Sequence, residues 1–331
     1  MRNTSPEVAI NPVLSSILIT PDDDAAIAKT MQHLRAQTIA EQIELVIVAP
    51  RADRIHIAPE EAASFHSVRI VEITSLGSLA VARAAGVASA SAPIVAFNED
   101  HSFPEPGWAA ALVDAHRRGY AGVAPQMKNG NPASALSWAA MFLHFGGTVE
   151  PDSGFETTHP AASHNMSYTR AALLEMGDGL SELMLAELFL HEALRARGHR
   201  FWVEPAAATR HVNLSRLRPA IIHAWTGGRM YGGLRRAFGA WPLVRRIVYA
   251  GGSPLIPLLR LRRVLPQLRR THIGRNLIPR VLPAMAVILT VHAAGEAVGY
   301  LFGMGKTRIS YSEFETRRER HVRAEERVLW A

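Results

Sequence analysis

Four short runs of apolar and β-branched residues divide the first hundred positions of the chain. Between these runs, Ala25–Gln37 spaces its apolar residues as a helix does, and Leu79–Ala90 is rich in alanine. Apolar strands that alternate with helices predict a mostly parallel sheet with helices on both faces. The predicted strands are Val13–Thr20, Glu44–Val48, Val68–Ile73 and Pro93–Phe97.

The carboxyl ends of these strands are where a functional site is expected. Ligands of open α/β sheets bind in the crevice outside the carboxyl ends of the strands. The rule points to three segments, Thr20–Asp24, Ala49–Arg51 and Asn98–His101.

The α/β pattern continues to about residue 215. The last predicted helix of this pattern ends before Gly198, and a short predicted strand follows it. We therefore expect one α/β domain over residues 1–215. Its second half contains the predicted helices Trp108–Gly119, Thr169–Met176 and Ser181–Arg197 and the predicted strands Gly122–Pro125 and Phe201–Glu204.

The charge of the chain is strongly asymmetric. Between Glu204 and Glu296 there is no acidic residue, and the same stretch holds 15 arginines. The other 21 basic and 29 acidic residues give the rest of the chain a net charge of −8. An acidic front and a basic rear indicate a polyanionic partner for the rear segment, either nucleic acid or an anionic membrane surface.

Apolar runs in the rear segment favour the membrane. Ile247–Leu259 is apolar but broken by Gly and Pro, which fits a re-entrant or interfacial hairpin, and Val281–Phe302 is a weak candidate for one spanning helix. No nucleic-acid-binding module is present, so nucleic acid is not an expected partner. We expect residues 216–331 to form a helical, membrane-associated segment with a solvated helix at Ser312–Arg327. A helical subdomain with an exposed positive face is the alternative.

The chain contains no cysteine, which excludes disulfides and cysteine metal sites. Met1–Pro12 lacks the apolar core of a secretory signal. With the basic rear segment, these observations lead us to expect a peripheral or monotopic protein at the cytoplasmic face of a membrane.

The acidic triplet after the fourth strand, Glu99-Asp100-His101, is the strongest chemical signal. Mg²⁺ in nucleotide sites uses one or two carboxylates plus phosphate oxygens, and Mn²⁺ also accepts imidazole. The triplet therefore suits a divalent cation, Mg²⁺ or Mn²⁺, held on a diphosphate. A solvated turn at a strand end is the alternative.

A series of short motifs resembles family 2 glycosyltransferases, which have the GT-A fold. The similarity extends from about Leu14 to His211 and rests on the order and spacing of its parts. These parts are Ser16–Ile19, Ala36–Thr38, Ala82–Gly86, Glu99–His101, Phe103–Trp108, His164–Arg170, Ala186–Glu187 and His211. The resemblance implies a Rossmann-like GT-A domain followed by the helical C-terminal segment.

The resemblance also implies roles for individual residues. Glu187 takes the position of the catalytic base, which removes a proton from the acceptor hydroxyl. The acceptor and sugar side would be lined by Trp108, His164 and Asn165. The donor would be bound by Thr20, Asp22, Arg83, Glu99 and Asp100. The metal ligands would be Asp100, His101 and His211.

Ordinary structural roles fit several of the same residues. Trp108 also fits a core position, His211 a structural histidine, and Glu187 a surface acid. Asp22–Asp24 and the pair His164 and Asn165 also fit helix caps.

The resemblance implies an inverting, metal-dependent, hexosyltransferase-like enzyme that uses a nucleotide-diphosphate sugar. Its acceptor would be a glycan or a lipid-linked precursor of a cell-surface polysaccharide. The sequence lacks the Gln-x-x-Arg-Trp motif of processive synthases, so we expect addition of a single sugar. Ala49-Pro50 replaces the paired aspartates that often contact the nucleoside. A non-catalytic scaffold and a sugar nucleotidyltransferase are the alternatives, although Thr20–Asp24 lacks the Gly-rich basic loop of the latter.

Overall fold

The computed structural model describes residues 11–21, 23–158, 160, 163–270 and 272–330. Within these residues one mixed sheet has the strand order β3-β2-β1-β4-β8-β6-β9-β5, with β7 also paired to β9. The strands are β1 (Leu14–Ile19), β2 (Ile43–Ala49), β3 (Ser67–Glu72), β4 (Ile94–Asn98), β5 (Ser102–Pro104), β6 (Gly122–Asn129), β7 (Phe155–Thr157), β8 (Ser167–Thr169) and β9 (Phe201–His211).

The first half of the sheet is parallel and the second half is mixed. β1 pairs in parallel with β2 and β4, and β2 pairs in parallel with β3. β8 lies antiparallel between β4 and β6, whereas β6 and β9 run parallel. The predicted α/β class is confirmed, and the four strands predicted first do pair in parallel. The short antiparallel strands β5, β7 and β8 were missed.

Helices cover both faces of the sheet and form the C-terminal part of the chain. They are α1 (Ala28–Arg35), α2 (Pro59–Ala62), α3 (Leu79–Ser89), α4 (Trp108–Arg117), α5 (Ala135–Phe145), α6 (Arg170–Leu174), α7 (Leu180–Leu183), α8 (Glu187–Ala196), α9 (Leu217–Phe238), α10 (Leu243–Gly252), α11 (Ile256–Arg270), α12 (His272–Phe302) and α13 (Thr307–Glu315).

Alternate residues of β1 enter the two apolar cores of the front domain. Ile17 and Ile19 belong to a core shared with α3 and α8. Leu14 and Leu18 belong to the opposite core, shared with α1 and α4. Because successive side chains of a strand point to opposite faces, a continuous apolar run is what a doubly covered strand requires.

The helix predicted over Ser181–Arg197 is interrupted. α7 ends at Leu183, and Ala186 has an extended backbone with φ −147° and ψ 115° directly before α8. Glu187 is therefore the first residue of α8. A carboxylate is favourable there, because the helix dipole places partial positive charge at the N-terminus.

Glycines allow α9 and α12 to pack at very short separation. An added Cβ would lie 2.1 Å from the His292 carbonyl oxygen at Gly228 and 2.4 Å from the Glu296 carbonyl oxygen at Gly232. Gly299 approaches the Arg229 carbonyl in the same way, at 2.3 Å. This small-residue interface, in which helix backbones touch directly, is a packing mode common among membrane helices.

One stretch of α12, Asn276–Phe302, is long and apolar enough to cross a membrane by length and composition. One face of this helix is packed inside the protein, where Met285 and Leu289 are buried, and the other exposes Val287. α12 contacts α5, α9, α10 and α11, so it is a central helix of the C-terminal part.

The apolar stretch Ile247–Leu259 is helical. α10 passes through a short turn at Ser253–Leu255 into α11. The re-entrant or interfacial hairpin expected there stays a prediction, and the apolar surface expected of it is present. The exposed large apolar side chains are Leu243, Val244, Ile247, Val248, Leu255, Leu258 and Leu259.

The prediction of a solvated helix over Ser312–Arg327 is wrong. α13 ends at Glu315, and short 3-10 turns follow at Arg318–Arg320 and Ala324–Trp330. Buried polar side chains hold this region against the front domain, which the alternation of charges in the sequence did not indicate. They are Ser312, Glu315, Thr316, Arg318 and Glu326.

Candidate active site

Four segments meet beyond the carboxyl end of β4. The acidic triplet follows β4 directly, and His211 ends β9. His164 and Asn165 lie just before β8, and Glu187 begins α8. Asn98, the last residue of β4, donates its side-chain amide to the Ser16 hydroxyl of β1 at 3.0 Å. This bond fixes the position from which the triplet starts.

The protonation of His101 follows from its partners. The Arg318 guanidinium donates through Nε to His101 Nε2 at 3.2 Å, so Nε2 carries a lone pair. Nδ1 then holds the proton and donates to Asp100 Oδ1 at 2.5 Å. A carboxylate that orients an imidazole in this way is a common arrangement behind metal-ligating histidines.

The tautomer of His211 is fixed by an amide. Asn213 donates its Nδ2 to Asn129 Oδ1 and to the His211 carbonyl, so its Oδ1 is free to accept. That oxygen lies 3.0 Å from His211 Nδ1, which therefore donates. His211 Nε2 is left with a lone pair that faces Glu99 Oε2 at 3.3 Å.

Three electron-pair donors thus converge: Glu99 Oε2, His101 Nε2 and His211 Nε2. They lie within 4.8 Å of one another, and Glu99 Oε2 is 3.6 Å from His101 Nε2. Ligand atoms about 2.1 Å from an ion and at right angles to each other lie about 3 Å apart. The buried Asp100 Oδ2 has no hydrogen-bond partner among the described residues. The donor set therefore fits a divalent cation.

Glu99, rather than Asp100, is the carboxylate that lies near the Nε2 atoms of both His101 and His211. Asn165 donates its Nδ2 to Glu99 Oε2 at 2.8 Å, which orients the carboxylate. Asp100 directs one oxygen at the ring of His101, so it acts on the cluster through that histidine. From the sequence, Asp100 was expected to be a metal ligand, and both Glu99 and Asp100 were expected to contact the donor. The structure places an oxygen of Glu99, and not of Asp100, beside the Nε2 atoms of both histidines.

Burial and neighbouring groups shift the pKa values of Asp100 and Glu99 in opposite directions. Burial raises the pKa of Asp100 well above its ordinary value, and neighbouring Glu99 raises it further. Burial would also raise the pKa of Glu99, but attraction to His101 and His211 in their protonated forms holds it well below its ordinary value. Burial lowers the pKa of each of these histidines to about 4. At neutral pH the histidines are therefore unprotonated, as metal ligands must be.

The Glu187 carboxylate contacts one guanidinium group and one imidazole ring. Its Oε1 is 3.3 Å from Arg83 Nη1 and in close contact with His164 Nδ1. Burial would raise the pKa of Glu187, but His164 and then Arg83 lower it to about 2. The carboxylate is thus ionised at neutral pH, as a general base must be.

Arg83 connects Glu187 to a small cavity of about 20 Å³ beside the triplet. The walls of this cavity include Arg83, Asn98, Glu99 and Asp100 and, from the C-terminal region, Glu315 and Thr316. Thr20 is buried at the end of β1, and its hydroxyl donates to the Asp23 carbonyl at 2.6 Å. The structure thus brings Arg83, Glu99 and Asp100 of the predicted donor residues to one cavity. Asp22 lies outside the described residues.

Trp108 does not line the site. It is 1% exposed and belongs to the apolar core between α4 and the sheet. Its assignment to the acceptor side is wrong, because the first residue of α4 points into that core. The other two predicted acceptor-side residues, His164 and Asn165, do lie at the site.

Sequence reasoning missed the contribution of the C-terminal region. Glu315 pairs with His223 through a 2.7 Å contact, and its other carboxylate oxygen accepts from Arg318. Glu99, His164 and Glu315 form a second group whose ligand atoms lie close together. The only available signal was the density of charge in the tail, which does not distinguish a buried network from a solvated surface.

The sequence model of glycosyl transferase family 2 matches residues 16–177, which begin within β1 and include the acidic triplet and β8. This part of the chain belongs to glycosyl transferase family 2, and its mixed sheet is the GT-A fold. Members of this family are glycosyltransferases, so the match indicates a glycosyltransferase domain in this part of the chain.

The structure is also similar to the crystal structure of S. aureus TarS, with 14% sequence identity and a TM-score of 0.41. The alignment covers 86% of this chain and 55% of the TarS chain, so this chain spans about half the length of that one. No protein with a curated description matches the chain.

Proposed function

We propose that the protein transfers one sugar from a nucleotide-diphosphate sugar to an acceptor hydroxyl, with inversion at the anomeric carbon. The observation that carries this proposal is the placement of Glu187 opposite the cluster of Glu99, His101 and His211. Arg83 contacts Glu187 and also lines the cavity of about 20 Å³ beside Glu99, which we name the donor cavity. An attacking hydroxyl and a departing diphosphate require a base and a cationic site in this arrangement.

Glu187 is the proposed general base. Its carboxylate borders a cavity of about 160 Å³ that also touches His164, His223 and Tyr311. An acceptor hydroxyl in this cavity would give its proton to Glu187 as it forms the new bond to the sugar. One displacement on the face opposite the diphosphate inverts the anomeric carbon, and no second carboxylate is needed.

Glu99, His101 and His211 are the proposed ligands of a divalent cation on the donor diphosphate. A bound cation would supply neutralising charge to the departing diphosphate. Two imidazoles with one carboxylate favour Mn²⁺ over Mg²⁺, because Mg²⁺ prefers oxygen ligands. Arg83 is placed to stabilise the same leaving group from the protein side.

A lipid-linked acceptor is supported by the cavity at Glu187. Apolar side chains from α5, α9 and α12 form part of its wall, and Arg260 of α11 lies on its border. A second cavity of about 690 Å³ shares Leu143, His144, Tyr231 and Arg260 with the first and adds Arg263. The two adjoining cavities would hold the apolar chain of a lipid-linked acceptor beside Glu187 and its anionic group beside Arg260 and Arg263.

We also propose that α10 and α11 lie in a membrane interface. Their outer face exposes apolar residues such as Val244 and Leu258 together with Arg245 and Arg262. Arginine beside exposed leucine and valine matches an interface, where apolar side chains enter the acyl region and guanidinium groups contact lipid phosphates.

The division into a catalytic domain, residues 1–215, and a membrane-associated segment, residues 216–331, remains a proposal. Its membrane-facing part is formed by α10 and α11, whereas residues 307–330 return to the catalytic side. Placement on the cytoplasmic face remains a prediction of the sequence.

The experiment that tests the proposed function is a screen of nucleotide-diphosphate sugars with the purified protein in mild detergent. Nucleotide release is measured with Mn²⁺, with Mg²⁺ and with a chelator, in the presence and absence of membrane lipid extract. The proposal predicts release from one donor, faster with Mn²⁺ and lost on chelation. Binding of neither a nucleotide nor a cation would support the alternative of a non-catalytic scaffold.

A further inference from the structure

The last 24 described residues, Thr307–Trp330, form a strap across the candidate active site. At one end of the strap, the Ser312 hydroxyl accepts a hydrogen bond from the Leu79 amide at 3.2 Å. At the other end, Trp330 donates its Nε1 to the Asp100 carbonyl at 3.0 Å and packs against Phe103. The strap is thus attached to the front domain on both sides of the acidic triplet.

Arg318 is the residue of the strap that enters the cation cluster. Its side chain is buried, and it donates to His101 Nε2 at 3.2 Å and to Glu315 Oε2 at 2.5 Å. His101 Nε2 is also one of the three ligand atoms described above. The guanidinium and a metal ion therefore compete for the same lone pair.

The strap also closes the donor cavity. The space beside Arg83, Glu99 and Asp100 is about 20 Å³, and Glu315 and Thr316 form its outer wall. Ligand pockets for molecules of this size are about 300–1,000 Å³. A nucleotide-diphosphate sugar cannot occupy this space while the strap is in place, and the carboxylate of Glu315 adds repulsion toward a diphosphate.

The contacts that hold the strap are mostly polar. Glu326 accepts from the Ser215 hydroxyl, and Glu315 pairs with His223. The apolar contacts near the end of the strap are those of Val322 and Trp330 in a small cluster with Phe103 and Val212. Buried ion pairs contribute little net stability, because desolvation offsets much of their attraction. A segment held in this way can separate from the domain at modest cost in free energy.

We propose that the strap is an autoinhibitory lid in which Arg318 occupies the cation position of the active site. A divalent cation, arriving with the donor diphosphate, takes the place of the guanidinium, and the strap moves away to open the donor cavity. This inference rests on the proposed function, since it assigns the same cluster to the donor. The closed lid lowers the apparent affinity for cation in proportion to the fraction of open protein.

The test is Mn²⁺ binding to the full-length protein in detergent, followed by the electron paramagnetic resonance signal of free Mn²⁺. Arg318→Gln removes the competing cation, and Trp330→Ala detaches the far end of the strap. Arg320→Gln is the matched control, because it removes the same charge from an exposed side chain of the strap. We expect the first two variants to bind Mn²⁺ about tenfold more tightly or better, and the control to bind as the wild type does.

Hydrogen exchange supplies the second readout. Addition of Mn²⁺ to the wild type should increase amide exchange in residues 307–330 and leave α4 unchanged. The proposal is overturned if Arg318→Gln and Trp330→Ala bind Mn²⁺ no better than the wild type, if none of the proteins binds Mn²⁺, or if saturating Mn²⁺ leaves the strap protected. Nucleotide release by a wild type whose strap stays protected would retain the glycosyltransferase and reject the lid.

Discussion

A buried histidine can bind a metal only through a ring nitrogen that carries no proton, and its partners decide which nitrogen that is. Asp100 holds the proton of His101 on Nδ1, and Asn213 does the same for His211. The His211 Nε2 lone pair faces Glu99 Oε2 at 3.3 Å, whereas the His101 Nε2 lone pair accepts from Arg318 at 3.2 Å. Both imidazoles therefore have the tautomer that the proposed cation site requires.

His116 gives a pH-dependent prediction away from the site. Its Nδ1 lies 2.8 Å from the Tyr120 carbonyl and its Nε2 lies 2.9 Å from the Ser167 hydroxyl. Burial lowers the pKa of His116 from 6.5 to about 4. Because the folded pKa is the lower one, the neutral ring stabilises the protein above pH 6.5, and this contribution is lost as pH falls from 6.5 to about 4.

The free energy of unfolding should therefore fall by up to about 3 kcal/mol for His116 over this pH range. Urea denaturation at pH 7 and pH 4.5 measures the change. His101 and His211 contribute in the same direction, so the comparison is with His116→Asn, which should show a weaker pH dependence than the wild type. An equal pH dependence in both proteins would show that protonation of His116 does not oppose folding.

At the scale of elements, the apolar runs predicted the four strands that carry the site. β1, β2 and β4 are buried parallel strands, and such strands can be recognised from local sequence alone. β3 is a parallel edge strand with no buried residue, and its β-branched residues predicted it. β5, β7 and β8 have three residues each, and only pairing with β4, β6 or β9, distant in sequence, makes them strands. Local sequence patterns do not predict such long-range strand pairing.

The sequence predicted the site residues that belong to local motifs. The resemblance named Glu187, Arg83, His101 and His211, and the structure brings all four together. The break before α8 and the entry of Arg318 depend on tertiary contacts, so neither could be derived from spacing. Trp108 was misassigned because an aromatic residue after a site motif fits both a core and a sugar platform.

The packing of α9 on α12 gives a prediction about stability. Gly232→Ala would place a Cβ 2.4 Å from the Glu296 carbonyl oxygen, so the two helices must separate. Overpacking of this kind costs about 1–3 kcal/mol in the free energy of unfolding. Thermal unfolding in detergent measures the loss.

Gly251→Ala is the matched control for this change. Gly251 also lies in a helix, but nothing lies within 4 Å of an added Cβ. Alanine should there be neutral or stabilising by up to about 1 kcal/mol, because it has the higher helix propensity. Equal unfolding temperatures for the two variants would contradict the close packing of α9 and α12.

At the scale of the molecule, charge and apolar surface are separated. The front domain is acidic, whereas the helices from α9 to α12 hold most of the 15 clustered arginines and the exposed apolar face of α10 and α11. The cavity at Glu187 borders on α11 through Arg260. If α10 and α11 lie in a membrane as proposed, an acceptor anchored there would reach Glu187 from the side of these two helices.

Membrane binding is tested by Leu258→Glu on the exposed face of α11. Burial of a leucine side chain stabilises binding by about 1.5–3 kcal/mol, and 1.4 kcal/mol corresponds to a factor of ten. Sedimentation with vesicles that contain anionic lipid should show about a tenfold or greater loss of binding. Leu174→Glu, at an exposed position on α6, should bind as the wild type does. Equal binding by Leu258→Glu would place the interface elsewhere.

The most direct test of Glu187 as the general base is sugar transfer by Glu187→Gln, with the donor identified by the nucleotide screen. Glu182→Gln on the neighbouring α7 is the control, because its side chain is exposed. Loss of the base should lower kcat by about 10²–10⁴-fold, while the control retains wild-type activity. Transfer by Glu187→Gln within about threefold of wild type, measured under the same conditions, would contradict the assignment of the base and, with it, the proposed mechanism.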